Sequence, residues 1–109
     1  MGRDLLGGFE HLVLLAILRL DADAYAPAIL DEIERTTGRA PAAGSVYVTL
    51  DRLEAKGFIR SRVGGETPER GGRPRRYVTV TARGLREVRA ARAELSALWR
   101  GLETRLDGA

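Results

Sequence analysis

The run Ala43-Gly44-Ser45-Val46-Tyr47-Val48-Thr49-Leu50-Asp51-Arg52-Leu53-Glu54-Ala55-Lys56 places two different faces on one helix. Val46, Leu50 and Leu53 recur at i, i+4 and i+7, the spacing of a buried helical stripe. The opposite face carries Ser45, Val48, Thr49, Arg52 and Lys56, small and polar at the leading end and cationic towards the trailing one. Pro41 precedes the helix and Gly57 stops it. Small residues at a helix tip allow entry into a DNA major groove, which is about 12 Å wide. Ser45 and Thr49 lie one turn apart and suit hydrogen bonds to base edges or phosphates, while Arg52 suits a guanine or a phosphate. Tyr47 has two readings of equal weight, a ring packed under the helix or a contact with DNA.

Downstream, Phe58 to Val63 alternates as a strand does, Gly64 to Gly72 is turn-rich, and Arg75 to Val80 alternates again. The expectation is a hairpin whose long tip presents Arg70, Arg73, Arg75 and Arg76 around Gly71-Gly72 and Pro74. Period-two alternation sends Arg75 and Tyr77 to one face of the strand and Arg76 to the other, so these arginines cannot share one job. Upstream, Gly8 to Leu20 is apolar on every side of a helical wheel, and such a helix must be covered all round. Pro27 suits the first turn of a second helix, with Ile29, Leu30 and Ile33 inward and Gly38 as its C-terminal cap. Thr81 is an N-cap for a last helix reaching Leu106, about 38 Å long.

That arm carries Val88, Ala91, Leu95, Leu98 and Leu102 at steps of three and four, widened by Leu85, Trp99 and Leu106. An apolar seam on an arm and an all-round apolar first helix cover one another across a twofold axis. The sequence therefore predicts a homodimer whose interface includes Leu12, Leu15, Val88, Leu95, Leu98, Trp99 and Leu102. The competing arrangement is a monomer with the arm folded back on its own first helix. The fold class that results is mostly α with a two-stranded β wing. It is a winged helix-turn-helix (residues 1–81, DNA-binding) plus a long C-terminal dimerisation helix (residues 82–109), in one structural domain of 109 residues.

The charge distribution agrees. Between Arg60 and Arg76 six arginines face Glu66 and Glu69, a local balance of +4, against +3 for the whole chain, so the remainder sums to −1. A positive excess confined to one stretch points to a polyanionic partner, double-stranded DNA, with steep salt dependence; a solvated basic loop is the bland alternative. There is no cysteine and one histidine, which disfavours thiolate metal sites, disulfides and most enzyme classes, and no cofactor or metal is expected. No apolar run approaches about 18 residues, so the expectation is a cytoplasmic protein without membrane association.

The segments Gly7-Gly8-Phe9-Glu10, Tyr25, Gly44 to Ile59, and Gly71-Gly72-Arg73-Pro74-Arg75-Arg76-Tyr77-Val78-Thr79-Val80-Thr81-Ala82-Arg83-Gly84 resemble the PadR family of bacterial transcriptional regulators, over nearly the whole chain. The resemblance implies a dimeric DNA-binding regulator, usually a repressor, with the third helix in the groove and the last helix pairing with the first helix of its mate. It matches the small subgroup with one C-terminal dimerisation helix. Two positions depart from the family pattern: Ala26 where glycine often follows the tyrosine, and Ala42 where serine often precedes the recognition helix. The DNA-binding set is then Ser45, Tyr47, Val48, Thr49, Arg52, Lys56, Arg70, Arg73, Arg75 and Arg76. Two recognition helices in a dimer would meet palindromic half-sites about 34 Å apart. Some family members stack flat ligands on aromatic residues between subunits, which makes Trp99 an effector-binding candidate; an ordinary interface anchor is the favoured reading.

Other features are weaker. His11 has no companion ligand, and Asp21-Ala22-Asp23 lacks the rest of a calcium loop. Gly64-Gly65 and Gly71-Gly72 lack a P-loop ending, and Asp31, Glu32 and Glu34 read as a solvated acidic face. The rival functions are a winged-helix protein-interaction module, which would tolerate reversal of the wing arginines, and an enzyme built on Glu10, His11 or the acidic patch.

Overall fold

Apolar spacing and a few punctuating residues account for the order of elements. The computed structural model describes residues 6–66 and 74–107. These form α1 (Gly8–Leu20), a short 3-10 turn (Asp21–Asp23), α2 (Ala26–Thr37), α3 (Ala43–Ala55), β1 (Ile59–Glu66), β2 (Pro74–Val80), α4 (Ala82–Trp99) and α5 (Glu103–Asp107). Pro27 occupies the first turn of α2, and Gly38 closes that helix with φ +78°, its N–H donating to Glu34 O. Only glycine takes that left-handed conformation without strain. The mostly helical architecture with a two-stranded wing is the one expected.

The core is a single cluster drawn from every layer. Val13, Leu14 and Ile17 of α1 meet Ile29 and Ile33 of α2, Val46, Leu50 and Leu53 of α3, Phe58 and Ile59 at the start of the wing, Val78 of β2 and Val88 of α4. The stripe Val46, Leu50, Leu53 is fully buried, as its spacing predicts. Strands β1 and β2 pair antiparallel from Ile59 opposite Val80 to Val63 opposite Arg76, with an irregularity between Val63 and Glu66. The wing is stitched to the helices by backbone bonds: Val78 N–H donates to Ala24 O, Phe58 N–H to Leu53 O and Thr81 N–H to Phe58 O, at 2.9, 2.9 and 3.0 Å.

Thr81 caps α4 as expected, its hydroxyl accepting from Gly84 N–H at 3.1 Å while donating to Gly57 O at 2.7 Å. Gly84 lies where α4 crosses the wing base, so close that a Cβ there would sit 2.2 Å from Phe58 O. That contact fixes where the arm departs.

Two expectations need correction. The arm does not run unbroken to Leu106: α4 ends at Trp99, Gly101 adopts φ +88°, and a separate short helix follows. A glycine after the last regular residue relieves the helix of any penalty for stopping, which the apolar spacing of Leu102 and Leu106 does not reveal. With 18 residues, α4 spans about 27 Å. Nor is Glu32 solvated: it is 6 % exposed and accepts from Arg19 Nε at 2.6 Å, from Arg35 and from the Thr36 hydroxyl. A carboxylate facing α1 from α2 is buried only because two guanidinium groups meet it there, and these hydrogen bonds hold its pKa below the ordinary carboxylate range against the opposing effect of burial.

Substitution Gly84→Ala should destabilise the protein by about 1–3 kcal/mol, since the added methyl collides with backbone rather than with a side chain able to swing away. Gly44→Ala, with nothing within 4 Å of the new Cβ, should be neutral or slightly stabilising. Urea melts of the two variants check the contrast.

Candidate nucleic-acid interface

Because α3 turns Val46, Leu50 and Leu53 inward, its outward residues are set by helical geometry. Gly44, Ser45, Tyr47, Val48, Asp51 and Arg52 are exposed. Ser45, Val48 and Arg52 follow one another at i, i+3 and i+7, forming a ridge along the solvent side. Tyr47 stands a quarter turn away, half exposed, its ring bordering hollows shared with Pro27 of α2 and with Pro74, Arg75 and Arg76 of β2. Thr49 is different in burial: at 4 % exposure it lies at the back of an 820 Å³ open cleft between α3 and the start of α1, which Ser45, Val48 and Arg52 also line.

Lys56 is also redirected. Its ammonium donates to both carboxylate oxygens of Glu10, at 3.0 and 2.9 Å, and Glu10 in turn accepts from Gly7 N–H at 2.8 Å. This ion pair ties the end of α3 to the beginning of α1. Burial would raise the Glu10 pKa, but the Gly7 amide, Lys56 and Arg52 together outweigh it and hold the carboxyl below its ordinary value. A lysine committed to a buried carboxylate is a positioning residue for α3. The signal in the sequence was the acidic residue itself, in an otherwise apolar helix that leaves it no water.

In the wing, alternation separates the arginines as expected. Arg76 faces α3, its guanidinium donating to Asp51 at 3.0 Å and to Glu54 at 2.7 Å, and its Nε to the Ser61 hydroxyl at 3.0 Å. Ser61 donates onward to Glu54 at 2.6 Å. Glu54 is held below the usual carboxylate range by the Ser61 hydrogen bond and then by Arg76. Partial burial opposes the charged form of Arg76, yet Glu54 and Asp51 raise its pKa above the ordinary arginine value. Arg76, expected on DNA, clamps the wing to the trailing half of α3 through these bonds.

On the other face, Arg62 lies over the Tyr77 ring at 4.6 Å, Tyr77 meets Tyr25 edge-on at 5.7 Å, and Arg75 lies over Tyr25 at 4.5 Å. Tyr77 fits because residue 64 is glycine, where a Cβ would fall 2.2 Å from the ring. This stack stiffens the wing through cation–π and edge contacts; strand pairing sets Arg62 beside Tyr77, and the Val78 N–H bond to Ala24 O holds β2 beside Tyr25. Arg70 and Arg73 lie outside the described residues.

A second surface lies opposite. His11, Leu15 and Leu18 of α1 and Leu85, Leu95 and Trp99 of α4 line an apolar groove of 590 Å³. Leu15, Leu95, Leu98, Trp99 and Leu102 are exposed and Leu12 is half-buried. Val88, expected at the subunit seam, is already 92 % covered by its own chain, because α4 packs it against the core before the arm departs.

The model of the transcriptional regulator PadR-like family matches residues 14–90 of this chain. The chain belongs to the PadR-like family. Its members are transcriptional regulators, not enzymes. Among solved structures, a PadR-family transcriptional regulator from Eggerthella lenta DSM 2243 is similar at 28% identity and a TM-score of 0.69, covering 90% of this chain and 83% of that one. A PadR-family regulator from Clostridium difficile R20291 shares the fold at 21% identity and a TM-score of 0.69, with 91% and 99% covered. So does a transcriptional regulator from Clostridium thermocellum, at 21% identity and 0.71, with 89% and 91% covered. No curated protein matches the sequence. Among the described residues of this PadR-family chain, no helix is long and apolar enough to cross a membrane.

The Glu10–Lys56 pair makes stability pH-dependent with a definite sign. The folded pKa of Glu10 lies below the ordinary glutamate value, so its contribution is present above that ordinary value and is lost as pH falls through the folded pKa. Lys56→Met should lower Tm at pH 7 and flatten that part of the decline as pH falls below the ordinary glutamate range. Thermal melts of both proteins across that range check it.

Proposed function

We propose that this PadR-family chain binds double-stranded DNA as a homodimer and represses transcription at a palindromic operator, with release by a small-molecule effector. The reading rests above all on the exposed Ser45–Val48–Arg52 ridge, which borders the open cleft beside the start of α1 while the opposite side of the same helix is core. Residues 1–81 would read DNA in the cytoplasm and residues 82–109 would pair the subunits.

Within this reading the contacts divide by job. Ser45, Tyr47, Val48 and Arg52 face the major groove, with Thr49 behind them. Arg70, Arg73 and Arg75 supply phosphate contacts at the wing, which give affinity rather than sequence preference. Lys56 and Arg76 act on DNA through α3, by holding it. The apolar groove and the exposed Leu95, Leu98, Trp99 and Leu102 support pairing with a second copy, because an apolar surface of this extent on so small a chain calls for a cover. An effector that sits against Trp99 and favours one spacing of the arms would change DNA affinity by its own preference between the two forms.

Fluorescence titration of a labelled duplex pool against the protein at 50 to 300 mM salt tests DNA binding. The logarithm of affinity should fall linearly with the logarithm of salt, and Arg52→Ala should weaken specific binding by about tenfold or more. Salt-independent binding, or none, would remove the proposal. Light scattering should give a dimer for the wild type and a monomer for Leu95→Asp/Leu98→Asp. Emission from Trp99, the one tryptophan, should shift to the red in that variant as the ring meets water.

A further inference from the structure

Val48 is not part of the buried core and borders the open cleft beside the start of α1. It is 56 % exposed, on a helix whose inward face is filled by Val46, Leu50 and Leu53, and its neighbours along the ridge are the polar Ser45 and Arg52. A β-branched residue gains nothing in helix propensity, and an exposed isopropyl group gains nothing from water. It stands midway along the surface offered to DNA, within one turn of Ser45 on one side and Arg52 on the other.

In the major groove only one of the four bases presents an apolar group. Thymine carries a C5 methyl, whereas guanine, adenine and cytosine present acceptors and amino donors there. A valine side chain satisfies none of those donors or acceptors and would strip water from them without return, so opposite the other bases it costs affinity, and opposite thymine it gains. We propose, resting on the DNA-binding reading above, that Val48 selects a thymine in each operator half-site by apolar contact with its methyl group. The flanking polar side chains give the register: Arg52 reaches a base pair to one side of that thymine and Ser45 a base pair or phosphate to the other. Tyr47, also on the groove side, flanks the ridge, its ring bordering hollows against α2 and β2.

The test begins with selection of the full-length protein on a randomised 30-bp duplex pool, followed by synthesis of the selected duplex with each thymine replaced singly by deoxyuridine. That change removes one methyl and leaves every hydrogen-bonding group in place. One thymine per half-site should show a three- to tenfold loss of affinity on replacement, and Val48→Ala should bind the thymine and uracil duplexes within twofold of one another. Val48 lies outside the buried core, so the alanine variant should melt within a few degrees of the wild type, and the thymine-against-uracil comparison is made within each protein. A selected motif whose deoxyuridine duplexes all bind within twofold of the parent overturns the role of Val48 and leaves DNA binding standing, as does a methyl effect that persists undiminished in Val48→Ala. Failure to select any motif, with no salt-sensitive binding to the pool, overturns the DNA-binding reading itself.

Discussion

One helix has to be half core and half bare, and the rest of the molecule follows from that requirement. The inward residues of α3 sit at the junction of α1, α2 and the wing, so none of those elements can move without disturbing it. Its outward residues must stay clear of the chain's own atoms. A helix exposed along a whole side cannot be held by burial alone, and the structure adds polar tethers at its trailing end: Lys56 to Glu10 of α1, and Asp51 and Glu54 to Arg76 of β2.

These tethers differ in what they contribute. Glu10 is buried, so losing its partner would strand a charge away from water, and the pair is therefore strongly selective for one placement of the two helices. Arg76 is one-third exposed and its partners more so, which limits its contribution to stability; geometry matters more there, because three side chains fix the angle between wing and helix. The aromatic stack on the opposite face of the wing completes the arrangement. Charge that looks in the sequence like a reserve for a polyanion is, at Lys56 and Arg76, spent on architecture.

Much of the fold was legible because period and punctuation are local properties. The limits of α2 at Pro27 and Gly38, the buried stripe of α3, the alternation of the wing strands and the Thr81 cap all depend on neighbours within a few residues. The break at Gly101 was harder, since an apolar spacing that continues through Leu102 and Leu106 masks a stop signal one residue earlier. The burial of Glu32 is not visible in local spacing, because the guanidinium groups that meet it come from two helices, 13 residues away in one case.

By itself the sequence determined the element order, the helix that turns a polar ridge outward, the concentration of arginine in the wing and the membership of the chain in its family. Tertiary structure alone decided which charges pair within the chain. Lys56 and Glu10 are 46 residues apart and Arg76 and Asp51 are 25, and whether such charges meet depends on how helices cross, not on spacing along the chain. A cation's type is written in the sequence, but its counterion is chosen by packing.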